Sequence, residues 1–516
     1  MELFKQKIRW GAILGQVGLL LHVPAAMAAV SLLIALLFKE YFALTALGVT
    51  AASSFIIGQI LFWATKGSKK ARLWDAMLIA ALGWIMCSFI AAFPIYSIAK
   101  TLVNQGETFR LFEIYSVPIN ALFESFSGFT TTGFTMMQGE GTLPFVLQWW
   151  RSLLQWIGGL GLVVFILALT HLNKEGYQLY YAEAHSEKMA KNITGTAHWT
   201  WGIYLMFTIL GILLFKLAGM PIWEAVNHGM TVIATGGFTL SHSSFQGYST
   251  LIKLIALFMM LMGAISFGIH FRVIRERDFL GIWKHWQLRL LFIFAFGGAA
   301  LCILLNLWNG LYAYKMDTVF QWFSALTTCG FNTLDLQVLS PMLRLLLIIG
   351  MFVGGMTGST VGGLKIRRVM RIFYGIVLRV FAITKSKEGH ITKSFTQNSR
   401  NSTSEPPGLE LSHSENDERL FTAGVLFTLW TSTLFFAWFL VLKWSPFGDG
   451  LDMLFELTSA MSNVGLTSGV VSPELATPAK WIFMGLMWIG RLEIIPALIL
   501  LLTLPLTLKR SLTRGK

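Results

Sequence analysis

Seven stretches of this chain are apolar for long enough to cross the hydrocarbon core of a bilayer, a distance of about 20 helical residues. They are Gly11–Phe38, Ala43–Ala64, Ala76–Ala99, Leu147–Leu169, Leu251–Phe271, Leu290–Leu307 and Val425–Leu442. Composition agrees. Only 13% of the residues are charged and 55% are hydrophobic, with 41 Phe and 19 Trp, whereas a soluble domain carries roughly 25% charged residues. This is more apolar surface than one water-soluble core needs, so the expected class is an all-α integral membrane protein. The first run follows a basic N-terminus, but it is too long for a signal-peptide core and reads as a membrane helix.

Between the later runs, one unit recurs four times: apolar helix, short amphipathic segment, Gly/Thr-rich loop, apolar helix. The loops align without gaps as Phe123–Thr135, Asn227–Thr239, Phe320–Asn332 and Phe455–Thr467. Their shared glycines are Gly133, Gly237, Gly330 and Gly465. Two positions earlier stand Thr131, Thr235, Thr328 and Asn463; six earlier, Ser127, Thr231, Ser324 and Ser459; nine earlier, Glu124, His228, Gln321 and Glu456. Four copies at similar spacing are an internal repeat, which takes precedence over other arguments about fold. The segments before the loops are too short to span, so they enter the membrane and turn back. Irregular backbone at that depth is tolerated only where protein or a water-filled cavity surrounds it. Four such loops meet that demand by converging on one axis.

The chain therefore divides into an N-terminal two-helix hairpin (1–70), a first pore repeat (71–175), a second (190–280), a third with a glycine-rich segment (284–383), a polar linker (384–419) and a fourth repeat (420–516), ten crossings in all. The net charge of +14 follows the same plan. Most Lys and Arg lie in six segments, 1–10, 66–75, 171–198, 272–289, 365–420 and 508–516, which are every second connection. This positive-inside pattern puts both termini in the cytoplasm and all four loops outside. It reports topology and contact with anionic lipid, not a nucleic-acid partner. Cys87, Cys302 and Cys329 are odd in number and stand in apolar or loop-entry contexts, so neither a disulfide framework nor a metal site is expected. No HExxH, GxSxG or dinucleotide fingerprint supports an enzyme. His228 and His270 read as structural.

The loops suit cation chemistry. A cation in a pore exchanges its water for other oxygens, and backbone carbonyls serve best when a loop is extended toward the axis. Glycine tolerates the unusual φ/ψ this requires and lets the backbone come close to the ion. The C-terminal end of each short helix adds partial negative charge. No formal charge stands at the four glycines or beside them, which favours a weakly hydrated monovalent ion over a divalent one. Elsewhere, Gly354–Gly363 holds five glycines in ten residues and cannot keep a regular helix well. It is not a phosphate-binding loop, because Leu364 stands where the lysine should follow Gly363. Close helix packing through glycines is the alternative. Arg491 and Glu493 lie inside the last apolar run, Ala479–Leu508, where a charge usually faces a cavity or a partner; Arg491 paired with a nearby carboxylate is one such arrangement.

These motifs resemble the Trk/Ktr/HKT superfamily of potassium transporters, its TrkH membrane subunits most of all. The likeness covers nearly the whole chain. It rests on the four loops, Arg151–Val164, Leu179–Glu183, Ala264–Phe271, Gly354–Arg368 and Gly490–Ile494, and on the two extra N-terminal helices. The resemblance implies a pseudo-fourfold pore that takes K⁺ into a bacterial cell across the inner membrane. It implies a K⁺ filter at Thr131, Thr132, Gly133, Thr235, Gly236, Gly237, Thr328, Cys329, Gly330, Asn463, Val464 and Gly465. It further implies a gate below the filter, formed by Gly354, Gly355, Gly358, Gly362 and Gly363 with Arg491 against it. A homodimer and a separate cytosolic nucleotide-binding regulator, TrkA-like, are also implied. No organic cofactor in this chain is expected. The fourth loop, Ser462–Gly469, is least like the others, so the pore is asymmetric. A K⁺ symporter coupled to Na⁺ or H⁺, or a Na⁺-permeable member of the fold, is the alternative. Coupling would leave buried midplane carboxylates or two inverted halves, and four parallel repeats with few intramembrane acids favour a pore.

The charge pattern makes one direct prediction. Single cysteines introduced at Ser186 and Ser402 should react with an impermeant thiol reagent only from the cytoplasmic side, and one at Ser243 only from outside. Labelling of Ser243 and Ser402 from the same side would break the ten-span plan.

Overall fold

The computed structural model describes residues 8–68, 71–107, 109–136, 140–162, 164, 193–241, 243–308, 310, 315–385, 413–444 and 450–503. Leu179–Glu183, Ser186 and Ser402 lie outside the described residues, as does most of the linker 384–419. Among the described residues every regular element is a helix.

Among the described residues, six helices are long and apolar enough to cross a membrane: Trp10–Leu37, Tyr41–Ala64, Leu73–Asn104, Thr194–Leu217, Trp286–Trp308 and Leu420–Leu442. The first two are the N-terminal pair, here α1 (Trp10–Leu37) and α2 (Leu44–Ala64). The other four open the four repeats as α3 (Leu73–Asn104), α6 (Ile193–Leu217), α9 (Trp286–Trp308) and α13 (His413–Leu442). Helix α13 begins within the segment that the sequence assigns to the linker. In each repeat a short helix follows: α4 (Pro118–Phe129), α7 (Ile222–Ile233), α10 (Lys315–Leu326) and α14 (Gly450–Met461), each of 12 residues. At 1.5 Å per residue such a helix reaches about 18 Å, well short of the hydrocarbon thickness.

After its loop, each repeat returns through α5 (Phe145–Leu160), α8 (Thr250–Ala264), α11 (Pro341–Val353) or α15 (Thr477–Arg491). Here the structure corrects the expectation of continuous spans over Leu147–Leu169, Leu251–Phe271 and Ala479–Leu508. All four return helices are broken. α5 stops at Gly161, which has φ 92°. α8 stops at Ile265, an extended residue, and the chain bends by 98° into Phe267–Glu276, with the Ser266 hydroxyl capping the new turn. α11 stops at Gly354, and helix α12 (Ile366–Lys385) begins only after the glycine segment. α15 stops at Leu492; Glu493 and Ile494 have φ 56° and 72° before helical turns resume over 495–503.

Two contacts tie the N-terminal pair in place. α1 and α2 cross where Gly18 meets Gly58, so closely that a Cβ on either would fall 2.6 Å from the other's carbonyl oxygen. This is the small-residue packing that apolar solvent favours. In the turn after α1, the Glu40 carboxylate accepts from the N–H groups of Phe145 and Val146, both at 2.8 Å. It thereby satisfies free donors at the start of α5. Burial pushes the Glu40 pKa up, and the two donors pull against that shift.

Candidate functional site: four loops and a glycine segment

The four short helices end alike. The N–H of Thr132, Gly236, Cys329 and Val464 donates to the carbonyl five residues back, on Ser127, Thr231, Ser324 and Ser459, at 2.9–3.0 Å. The residue before each donates three residues back: Thr131 to Gly128, Thr235 to Val232, Thr328 to Ala325 and Asn463 to Ala460. This pair of bonds is the Schellman ending, which needs a left-handed residue at its corner. That corner is Thr131, Thr235, Thr328 or Asn463, at φ 55°, 50°, 48° and 54°. Three are β-branched, for which a positive φ is strained, at about 1–3 kcal/mol each. The sequence assigns unusual backbone to the glycines alone. The structure puts it at the corners as well, two positions before each glycine.

The glycines themselves have φ 89°, 81°, 85° and 84°, and they close a ring. A Cβ on Gly133 would overlap the carbonyl oxygen of Gly236, and one on Gly237 would lie 2.5 Å from that of Cys329. A Cβ on Gly330 would overlap the carbonyl of Val464, and one on Gly465 that of Thr132. Each loop thus seats on the next, first to second, second to third, third to fourth and fourth to first. All twelve loop residues singled out from the sequence come together here.

Behind the ring, the loops are braced in different ways. Glu124 accepts from the Thr135 hydroxyl at 3.0 Å and from the N–H of Met136 at 3.1 Å. It also pairs with Arg151 of α5 at 2.8 Å, and both side chains are buried. Glu456, in the matching place, accepts from the Thr467 hydroxyl and from the N–H groups of Ser468 and Val470. In the third loop the Asn332 N–H donates to Ser244 Oγ at 3.2 Å. His228 and His270 are buried and bond to the carbonyls of Glu224 and Met262, in keeping with a structural part.

The glycine segment 354–363 lies against the undersides of the loops. The Gly362 N–H donates to Thr328 Oγ1 at 2.8 Å, and the Gly363 N–H to the Ser462 carbonyl at 3.1 Å. The Thr360 and Thr235 hydroxyls are 3.3 Å apart. Arg491 joins the first loop to the segment: it donates to Thr131 Oγ1 at 3.3 Å, the Thr360 carbonyl at 3.1 Å and the Gly159 carbonyl at 3.0 Å, and also to the Gly158 carbonyl. Glu493 makes its ion pair with Arg368 at the start of α12, so the carboxylate nearest Arg491 in sequence is committed elsewhere. A cavity of ≈ 40 Å³ beneath the loops is lined by Gly358, Gly362, Lys365, Asn463, Arg491 and Glu493, among others. The sequence reading missed Gln155, whose amide bonds the Gly236 carbonyl and the Phe238 N–H in the second loop, and the parts played by Thr360, Lys365 and Arg368. Their one signal was a set of polar residues inside apolar or glycine-rich runs.

Broken return helices around a ring of four short-helix loops define a multi-pass membrane protein with one pseudo-fourfold axis. A family model described as TrkH, cation transport protein, matches residues 46–506. The chain belongs to that TrkH family. It is 33% identical to an uncharacterized cation transporter of Methanocaldococcus jannaschii, over 87% of this chain and 86% of that one. It is 30% identical to the Trk system potassium uptake protein TrkH of Salmonella typhimurium, over 95% and 98%. The crystal structure of the potassium transporter TrkH from Vibrio parahaemolyticus superposes with a TM-score of 0.79 at 25% identity, covering 96% of this chain and 99% of that one.

The Glu124–Arg151 pair gives a stability prediction. Removing one partner of a buried pair costs about 3–5 kcal/mol, whereas removing both is often near neutral. Arg151→Met should therefore lower the thermal unfolding temperature of the solubilised protein clearly, and adding Glu124→Gln should restore part of it. Additive losses in the double variant would show that the two groups act separately.

Proposed function

We propose that this chain is the pore-forming subunit of a potassium uptake system, passing K⁺ along the axis of the four-loop ring. The observation that carries this reading is the closed chain of contacts in which each reference glycine abuts the carbonyl before the next. The N–H groups at the loop corners are spent on their own helices, and those of Met136, Phe238, Asn332 and Ser468 on side chains behind the loops, which leaves carbonyl oxygens for a ligand. With no formal charge at the ring, the site fits a monovalent cation. The names of the TrkH relatives, which are potassium uptake proteins, agree. Filter ligands are the backbone oxygens of Thr131, Thr132, Gly133, Thr235, Gly236, Gly237, Thr328, Cys329, Gly330, Asn463, Val464 and Gly465. The protein sits in the bacterial inner membrane with both termini cytoplasmic, as a homodimer in contact with lipid, and answers to a separate nucleotide-binding subunit.

A coupled symporter needs a carboxylate free to take up and release the driving ion at midplane. The buried carboxylates next to the loops, Glu124 and Glu456, instead hold several donors behind them. That arrangement favours a pore.

The segment with Gly354, Gly355, Gly358, Gly362 and Gly363 is the gate in its closed position, and Arg491 holds it there. Opening means trading several hydrogen bonds, each worth about 0.5–1.5 kcal/mol net, for others or for water. A regulator acting on α12 could supply that bias.

Two measurements in liposomes test these assignments. Gly330→Ala adds a Cβ at φ 85° against the Val464 carbonyl, so it should lower K⁺ flux or relax discrimination against Na⁺. An unchanged flux and ratio would take the ring out of the filter. Arg491→Ala, or deletion of Met356–Val361, should raise basal K⁺ flux without a regulator and leave the K⁺/Na⁺ ratio nearly intact. Folded variants that conduct no more than the parent would mean that the segment is packing and the gate lies elsewhere.

A further inference from the structure

The four loops share a backbone but not what stands behind it. The residue before the reference glycine carries a side chain in three of them, Thr132, Cys329 and Val464, and none in the second, Gly236. That vacant place is taken by Gln155, which arrives from α5 of the first repeat and is fully buried. A Cβ on Gly236 would overlap the Gln155 amide. Gln155 Nε2 donates to the Gly236 carbonyl, and Oε1 accepts from the Phe238 N–H at 3.0 Å. The amide brackets Gly237 and can face only one way, because one partner is an acceptor and the other a donor. One helical turn earlier, Arg151 donates to the Thr239 carbonyl at 3.2 Å and lies 4.2 Å from the centre of the Phe238 ring. Gln155 stands 22 residues after Gly133. The same offset reaches Met259, Phe352 and Met487 in the other repeats, and none of these side chains has an N–H to give.

We infer that Gln155 is a selectivity-positioning residue, which holds the Gly236 carbonyl at its place in the ring and sets how strongly that oxygen can bind an ion. The inference rests on the potassium-pore reading above. A carbonyl that already accepts an amide N–H is held in direction and has less charge left for a cation. The second loop therefore offers a stiffer and weaker oxygen than the loops at Thr132, Cys329 and Val464. Released from Gln155, the oxygen can move inward and close on a smaller ion, and Na⁺ is the ion that gains. The asymmetry of the ring, on this account, comes from its side-chain support as well as from the divergent fourth loop.

The test uses the full chain in liposomes, with K⁺ and Na⁺ flux and thermal unfolding measured for the parent, Gln155→Met and Gln155→Glu. Gln155→Met introduces the residue that the second and fourth repeats carry and removes both bonds at nearly constant length. Its K⁺/Na⁺ flux ratio should fall roughly 2- to 10-fold, the equivalent of one buried hydrogen bond, through a rise in Na⁺ flux. Gln155→Glu keeps the acceptor for Phe238, and has a donor for Gly236 only while the carboxyl is protonated. Its ratio should be highest at acid pH and fall as pH rises, over a range in which the parent stays flat. A Gln155→Met protein with the parent's ratio overturns the inference. So does equal loss of both fluxes in the two variants with no pH dependence in Gln155→Glu, which would make Gln155 packing alone. A parent that does not distinguish K⁺ from Na⁺ overturns the potassium reading, and this inference with it; that failure shows in the parent by itself.

Discussion

Backbone that leaves the helix inside a bilayer has no water to bond, and each unsatisfied group costs several kcal/mol. Among the described residues, the backbone breaks once in each of the four loops and once in each of the four return helices. The breaks persist because they satisfy one another. The carbonyls freed at the end of α8, on Gly263 and Ala264, accept from the N–H groups of Thr360 and Met356, and the Gly358 carbonyl accepts from Phe267. The carbonyls of Gly158 and Gly159 at the end of α5 accept from Arg491, a cation placed where a helix C-terminus favours one. Taken singly, no repeat could hold its irregular backbone in the membrane. Four arranged about one axis can, so the pseudo-fourfold plan is a requirement of the backbone before it is a device for ions.

The corner residues connect the two layers of breaks. A left-handed Thr at three corners is a local cost that glycine would have avoided. What the hydroxyls return is contact with the layer below. Thr328 accepts from Gly362, Thr235 meets Thr360, and Thr131 accepts from Arg491. At the fourth corner Asn463 adopts the left-handed conformation with less strain. Its amide donates to Thr132 Oγ1 at 3.1 Å and the Met487 carbonyl at 2.8 Å, closing the ring from the fourth repeat to the first. A shift of the glycine segment is therefore felt at the base of the loops, through bonds to the residues that set their backbone.

Much of this could be read from the residues. The repeat was legible because glycine is needed twice over at Gly133, Gly237, Gly330 and Gly465, once for φ and once for space, and such a position leaves a fixed mark in sequence. The break at Gly354 was legible through glycine density. Those at Ile265 and at Glu493–Ile494 were not. Their sequences contain no glycine or proline at the break, and Ile494 is β-branched, a poor choice for φ 72°. Tertiary partners create these breaks: the Met356 and Thr360 N–H groups at α8, and the Arg368–Glu493 pair at α15. Gln155 and Arg151 went unread for a related reason. At a spacing of i, i+4 they form one polar stripe on a helix, and a single chain does not say whether that stripe meets water or a neighbouring loop.

The third repeat differs from the others in the length of its break. At α8 and α15 the chain leaves the helix for two or three residues, enough to bend it. Between Val353 and Ile366 it leaves for twelve. Only a run of that length can pass under the whole ring, and its contacts reach the second, third and fourth loops directly and the first through Arg491. The bonds that hold it are mostly neutral and individually weak, and they are spread over three of the loops, the break after α8 and Arg491. A segment held in this way can be stable at rest and still move under a bias of a few kcal/mol. A continuous helix through the same space would have to unfold to clear it. The glycines therefore do more than relieve crowding, because they keep the segment free of a helix that would have to melt.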